Sequence, residues 1–283
     1  MAALALLLIT AVWGWTFVPV KEAVAEVGPF WFLALRFSLA FLCTLPLWRR
    51  GAPPWREALL LGLFLFGGYF FQTWGLRHTT AQKSGLITGL SVVLVPVVAH
   101  FLGERISARL GLGVVLAALG VVLLALGGEG DLAGSLFGDV LTAICSLAFA
   151  VYIALLARYA KAKPVGPLLP LQLLTVAGLS GIGAVAAGEV RWPLSPRVWA
   201  ALGVTGVLAS AVAYYVLAWA ESRATATQTA VILAMEPVFA AFFGWALLGE
   251  KLSGLQLVGA GLVLAGILAV STVDPARGRP HNR

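Results

Sequence analysis

Leu102-Gly103-Glu104-Arg105-Ile106-Ser107, followed by Gly113 and Gly120, returns later in the chain as Leu248-Gly249-Glu250-Lys251-Leu252-Ser253, followed by Gly259 and Gly266. Each position is displaced by 146 residues without a gap, and Trp74 and Trp219 fall within one residue of the same offset. A fixed offset of this length marks two copies of one unit. The stretch reads as a tight polar hairpin between two apolar helices, with glycines continuing at helical spacing along the second. The copies occupy 1–128 and 134–272, divided by Gly127-Gly128-Glu129-Gly130-Asp131, and 273–283 form a basic tail.

Composition sets the medium. Charged residues make up 11% of the 283-residue chain and hydrophobic residues 60%, against roughly 25% charged residues in soluble globular domains. The chain reads as an integral membrane protein with almost no room for a soluble domain. At ~20 residues per span, ten apolar helices are expected at about 2–21, 29–48, 54–76, 79–102, 106–127, 134–157, 167–188, 197–220, 225–248 and 253–272. The first has no basic leader and no A-x-A cleavage site, so it reads as a span rather than a signal peptide. Cys43 and Cys145 fall within spans, where thiols behave as small hydrophobes.

Ten spans place both termini on one side. Loops on that side and the tail hold Arg49, Arg50, Arg56, Arg105, Arg109, Arg158, Lys161, Lys163, Arg223, Arg277, Arg279 and Arg283. The other side holds Lys21, Arg77, Lys83, Arg191, Arg197 and Lys251. The positive-inside rule then puts both termini in the cytoplasm, in a multi-pass protein of the inner membrane. The net charge of +7 is explained by topology, without nucleic acid. Because each copy has an odd number of spans, the second enters the membrane from the opposite side. The expected fold is all-α, ten transmembrane helices as two inverted five-helix repeats, an architecture of secondary transporters with the substrate site near the midplane.

The residues resemble the EamA family of the drug/metabolite transporter superfamily, and its YddG-like aromatic amino-acid exporters in particular. The resemblance rests on Trp13-Gly14-x-Thr16-Phe17 in the first span, Leu35-Arg36-Phe37 in the second, Glu236-Pro237-Val238-Phe239 in the ninth, and the two Leu-Gly-Glu-basic hairpins. It covers essentially the whole chain. It implies export of amino acids or related metabolites through a central cavity lined by helices 1, 3, 4, 6, 8 and 9. The halves depart from symmetry at their prolines. Pro237 lies thirteen residues before Glu250, Pro96 eight before Glu104, and Ser91 matches Pro237, so the halves are expected to bend at different heights.

Glu236 is the sharpest candidate for chemistry. A carboxylate about eleven residues into a span costs ~2.5–3.5 kcal/mol on insertion scales unless paired, hydrated or protonated. A proton-coupling or amine-binding role and a structural role beside Pro237 both satisfy it. Arg36, the one base well inside a span, lies at similar depth, so an Arg36–Glu236 pair is expected, with a structural or a carboxylate-binding function for the arginine. Trp13, Trp15, Tyr69, Tyr152, Tyr214, Tyr215 and Trp245 supply rings for packing or for stacking on an amphiphilic substrate; Trp74 and Trp219 sit near span ends and suit interfacial anchoring. Thr16, Gln72, Thr88, Ser91, Thr227 and Gln228 supply neutral hydrogen-bonding groups, for substrate or for helix–helix contact. His100 lies at the end of the fourth span, where a lone histidine is ordinarily solvated.

Glu104 and Glu250 are expected to cap their hairpins and pair with Arg105 and Lys251, with a gate as the alternative. Pro19, Pro96 and Pro237 are candidate hinges. No phosphate loop, zinc-protease motif, nucleophile elbow or Cys/His cluster occurs, so neither an enzyme nor a cofactor or metal is expected. The expected partners are a small-molecule substrate, the lipid bilayer and a coupling proton, in a monomer or weak dimer. Two other functions stay open: a carrier of sugar phosphates or nucleotide sugars, which needs cavity cations beyond Arg36 and Lys83, and a non-transporting sensor or scaffold.

Overall fold

Hydrocarbon offers backbone N–H and C=O groups no partner, so a chain this apolar must close its hydrogen bonds within helices. In the computed structural model, residues 1–50, 53–75, 77–78, 84, 87–127, 135–248 and 252–272 are described, and among them there is no strand. Among the described residues, eight helices are long and apolar enough to cross a membrane: Pro29–Trp48, Trp55–Gly75, Ala108–Gly127, Leu136–Ala162, Val165–Ala186, Pro196–Glu221, Ala226–Phe243 and Gly254–Ser271. Two shorter apolar helices, Ala2–Thr16 and Ile87–Phe101, occupy the first and fourth positions. The order is that of the ten expected spans. The first helix continues to Val27 with Pro19 inside it.

The repeated glycines set the relation between the copies. The fifth span (Ala108–Gly127) crosses the tenth (Gly254–Ser271) with backbones in contact. A Cβ on Gly120 would stand 2.5 Å from the Gly259 carbonyl oxygen, and one on Gly259 2.7 Å from that of Gly120. The other pair repeats the arrangement: Gly113 to the Gly266 oxygen at 3.0 Å, Gly266 to the Gly113 oxygen at 2.7 Å. Gly113 therefore meets the counterpart of Gly120, and Gly120 meets the counterpart of Gly113. Such self-complementary contact is the signature of a two-fold relation. The two helices run antiparallel, so the axis lies across them and inverts one copy relative to the other. Their outward faces carry exposed Leu112, Leu119, Leu126, Leu257 and Leu268, as a lipid-facing surface requires.

Both copies break one span, at matching places. The ninth divides into Ala226–Leu233 and Glu236–Leu248, because Pro237 has no N–H for the Leu233 carbonyl and Met235 N turns back to Ile232 O at 3.1 Å. The fourth turns at Leu90, whose N–H bonds Ile87 O at 3.1 Å, just ahead of the helix Ser91–Phe101. Pro96 lies inside that helix and does not break it. The expected difference in bend height is thus corrected: the break follows the repeat rather than the prolines, with Gly89 packed against Val121 at the fourth-span turn.

Contacts between connections respect the expected sidedness. Glu189, after the seventh span, accepts from the backbone N–H groups of Phe30 (2.7 Å) and Trp31 (3.2 Å), capping the second span. Gly28 allows this approach, with φ 85° and no Cβ to meet the Glu189 carboxylate. Ser195 donates to Glu26 on the same face. Lys163 meets Glu57 at 3.4 Å on the opposite face, where the connection from the fourth to the fifth span also touches the start of the ninth.

Candidate functional site

The eighth span is helical throughout but changes pitch, with a π-helical stretch at Val204–Val212 between Pro196–Gly203 and Ala213–Glu221. Such stretches release backbone groups from the regular ladder. The Ala213 N–H goes to the Leu208 and Ser210 carbonyls, and the intervening Ala209 carbonyl accepts from side chains of two other spans. Trp13 Nε1 donates to it at 2.8 Å and Arg36 Nη2 at 3.4 Å. Arg36 Nε also donates to Ser210 Oγ at 2.8 Å. The first, second and eighth spans are pinned together at this turn.

Arg36 is 4% exposed, and among the described residues no carboxylate stands at ion-pair distance from it. Its Nη2 reaches Tyr69 Oη at 3.3 Å, and its guanidinium carbon lies 4.9 Å from the Tyr69 ring centre and 5.4 Å from that of Phe37. Tyr69 Oη in turn accepts from Tyr214 Oη at 2.7 Å. The Tyr214 ring packs 5.7 Å from Trp13 and 5.9 Å from Tyr152. Tyr152, 1% exposed, has a buried hydroxyl with no hydrogen-bond partner. The expected Arg36–Glu236 pair does not form: hydroxyls, a freed carbonyl and two ring faces hold the arginine instead. Tyr69→Phe removes the link between Arg36 and Tyr214 and leaves a buried donor unpaired; a loss of about 1–3 kcal/mol is expected in thermal unfolding in detergent.

Glu236 meets the first span at Gly14, the residue after Trp13. It opens the second half of the broken ninth span, half-buried, and Gly14 permits the contact. A Cβ on Gly14 would stand 2.8 Å from Phe239 Cβ and 2.9 Å from Glu236 O. Trp13 and Gly14 thus join the Arg36 cluster to the Glu236 turn through consecutive residues. Cys145 lies beside Thr88 and within electrostatic reach of Glu236. Ser146 donates to Thr88 O at 3.3 Å, while Thr88 Oγ1 is buried without a partner. Cys145 thus lies near residues of both broken spans, Thr88 of the fourth and Glu236 of the ninth.

At the face of the fourth-to-fifth connection, Glu104 does not pair with Arg105 as expected. Its two oxygens accept from the Ala226 (3.0 Å) and Thr227 (3.2 Å) amides, capping the ninth span across the repeat boundary. The same helix start carries a capping box from Thr225 and Gln228. Gln228 Nε2 donates to Val270 O at 3.1 Å, and His100, exposed, approaches the Glu104 carbonyl at 3.3 Å. Glu250, Lys251 and Lys83 lie outside the described residues.

The remaining candidates separate by exposure. Thr16 is buried and donates to Trp13 O at 3.0 Å. Gln72, Ser91 and Tyr215 are half-buried. Trp15 (38%) and Trp245 (52%) are exposed, and neither joins the Arg36 cluster. Trp245 packs on Phe242. Trp74 is exposed at the end of the third span, and Trp219 lies under the Arg223 guanidinium at 4.4 Å, both suited to anchoring. Apolar grooves of about 510 Å³ along Phe66, Phe70 and Val151, and 220 Å³ along Leu8, Leu208 and Val212, touch neither Arg36 nor Glu236. Ser210 and the Ala209 carbonyl owe their roles to helix pitch, and Glu221 to burial at the end of its span, none of which residue type or spacing signals.

Comparison with known proteins agrees with this geometry. A family model described as the EamA-like transporter family matches residues 1–126 and again 136–272. An "uncharacterized transporter" of Archaeoglobus fulgidus is 33% identical over 95% of this chain and 85% of its own. The Arabidopsis thaliana "WAT1-related protein At3g02690, chloroplastic" is 30% identical over 92% of this chain and 66% of its own. The Bacillus subtilis "uncharacterized transporter YoaV" is 25% identical over 93% and 94%. A solved crystal structure with 22% identity superposes at a TM-score of 0.83 over 96% of this chain and 98% of that one, a likeness of fold. Two family matches that cover nearly the whole chain, on a helical bundle whose halves meet through their own repeated glycines, establish that this chain belongs to the EamA-like transporter family.

Proposed function

We propose that this transporter is a secondary carrier that exports small organic metabolites, amino acids or related amphiphilic compounds, across the inner membrane by alternating access, with both termini cytoplasmic. The observation that carries the reading is the broken ninth span, which holds the half-buried Glu236 at its turn beside the matching break of the fourth. Paired discontinuous helices are where secondary transporters place their substrate sites. Glu236 takes the ammonium group of the substrate or a proton. Thr88 and Ser91 offer hydroxyls, and Trp13 and Tyr215 offer ring faces. Arg36 is the group for a carboxylate, once its hydroxyl partners exchange. Gln72 and Tyr152 complete the polar lining.

Carriage of sugar phosphates calls for several free cations. Among the described residues the buried cation is Arg36, and its donors are already engaged, so this alternative is not adopted.

Counterflow of labelled phenylalanine into proteoliposomes tests the reading, with unlabelled amino acids and metabolites loaded inside one at a time and Glu236→Gln alongside. Accumulation against an internal amino acid, reduced at least tenfold in Glu236→Gln, is expected. Folded protein that exchanges none of them would overturn the amino-acid reading.

A further inference from the structure

The eighth span ends in a carboxyl group that no part of the proposed substrate site uses. Glu221, the last residue of Ala213–Glu221, is 0% exposed, and among the described residues neither of its carboxyl oxygens has a hydrogen-bond partner. A charge left in that condition costs several kcal/mol. Among the described residues no ion pair neutralises it. Lys161, at the end of the sixth span, is within electrostatic reach but exposed and beyond ion-pair distance, and Arg223 is turned to the Trp219 carbonyl and Ser222. Thr229, from the ninth span, lies beside the carboxyl with its own hydroxyl buried and unpaired. Tyr152 of the sixth span and Glu104 of the fourth-to-fifth connection are within electrostatic reach. Glu104 is also the group that ties the first repeat to the start of the ninth span, through the Ala226 and Thr227 amides.

We propose that Glu221 is a buried proton site: it holds a proton while Glu104 keeps this face of the bundle shut, and yields it to water when that contact opens. The O–H bond of the carboxyl breaks, the proton passes to solvent, and the carboxylate remains as the anion. In the shut arrangement that anion would be dry, unpaired and close to a second acidic group. Opening hydrates it. Proton occupancy of Glu221 therefore sets how often this face opens. The inference deepens the carrier reading and depends on it only for what the opening admits.

Hydrogen–deuterium exchange of the Ala226 and Thr227 amides, on the full chain in nanodiscs without substrate, tests this between pH 6 and 9. Protection corrected for intrinsic exchange is expected to fall by about tenfold per pH unit above the titration point, the slope of one proton. Glu221→Gln, which keeps shape and neutrality, is expected to remain protected and flat. Thr229→Val leaves Glu221 in place and is expected to keep the slope while displacing its midpoint by about half a pH unit.

A flat profile in the wild type would overturn the proposal, and an unchanged slope in Glu221→Gln would overturn it by assigning the pH response to another group of this face. An unchanged midpoint in Thr229→Val would equally place the titrating group elsewhere. Normal pH-dependent protection without counterflow would overturn the carrier reading alone. Counterflow with flat protection would overturn the proton site alone.

Discussion

Gly120→Leu is expected to destabilise the bundle by about 3 kcal/mol, at the upper end for overpacked interiors, and to abolish a single well-defined species in detergent. The reason is the identity of the atoms that a side chain would meet. A Cβ at Gly120 stands 2.5 Å from Gly259 O, 2.7 Å from Val263 Cγ2 and 2.9 Å from Val263 N. Two of the three are backbone, so no rotamer change relieves them and the fifth and tenth spans must separate. Lipid tails are as apolar as leucine, so little besides close packing holds two such helices together. Separation at one glycine also opens the symmetric contact at Gly113 and Gly266. Gly111→Leu is the control, because on the same helix its Cβ meets nothing within 4 Å. Thermal unfolding of the two variants side by side decides the matter. A Gly120→Leu midpoint within about 2 °C of the wild type would show that the crossing does not depend on glycine.

Arg36→Met is expected to do the opposite: retain or raise stability while transport falls at least tenfold. A buried guanidinium with no carboxylate partner carries a desolvation cost that its hydroxyl, carbonyl and ring contacts offset only in part. An apolar side chain of similar length removes that cost and still fills the space. The groups left behind have other outlets. Tyr69 Oη keeps the Tyr214 hydroxyl, and the Ala209 carbonyl keeps the Trp13 indole. A residue that weakens the fold while serving the cycle is what a substrate-responsive site predicts. Melting temperature and counterflow measured on one preparation separate the two functions. A loss above about 2 kcal/mol, beyond the cost of an ordinary hydrogen bond, with transport intact would make Arg36 a purely structural clamp.

Much of the fold could be read from the residues because its physics is local or periodic. Span length follows from apolar runs, and the repeat from the 146-residue offset shared by the two hairpins. Glycines at 113, 120, 259 and 266 recur at helical spacing in both copies. The candidate site was legible in type rather than in connection. Arg36 and Glu236 stood out as charges at depth, yet their expected pairing fails because Ser210, Tyr69 and the Ala209 carbonyl reach the arginine first. Pro96 stands out of register with Pro237 and suggests a bend at another height, but the fourth span turns at Leu90, close to where the repeat places it.

The sequence by itself determined the medium, the order of the apolar helices, the duplication and the glycine seam, since each depends on composition or spacing along one chain. Only the tertiary structure decided which groups meet across the bundle. Glu104 leaves its neighbour Arg105 for amides 122 and 123 residues away, because a helix start with unpaired N–H groups binds a carboxylate better than an exposed arginine does. The π-helical stretch frees the Ala209 carbonyl, a consequence of helix pitch that no residue type announces. Glu221 looks like an ordinary residue at a span end, and becomes a candidate proton carrier because neighbouring spans close over it and leave its oxygens without partners.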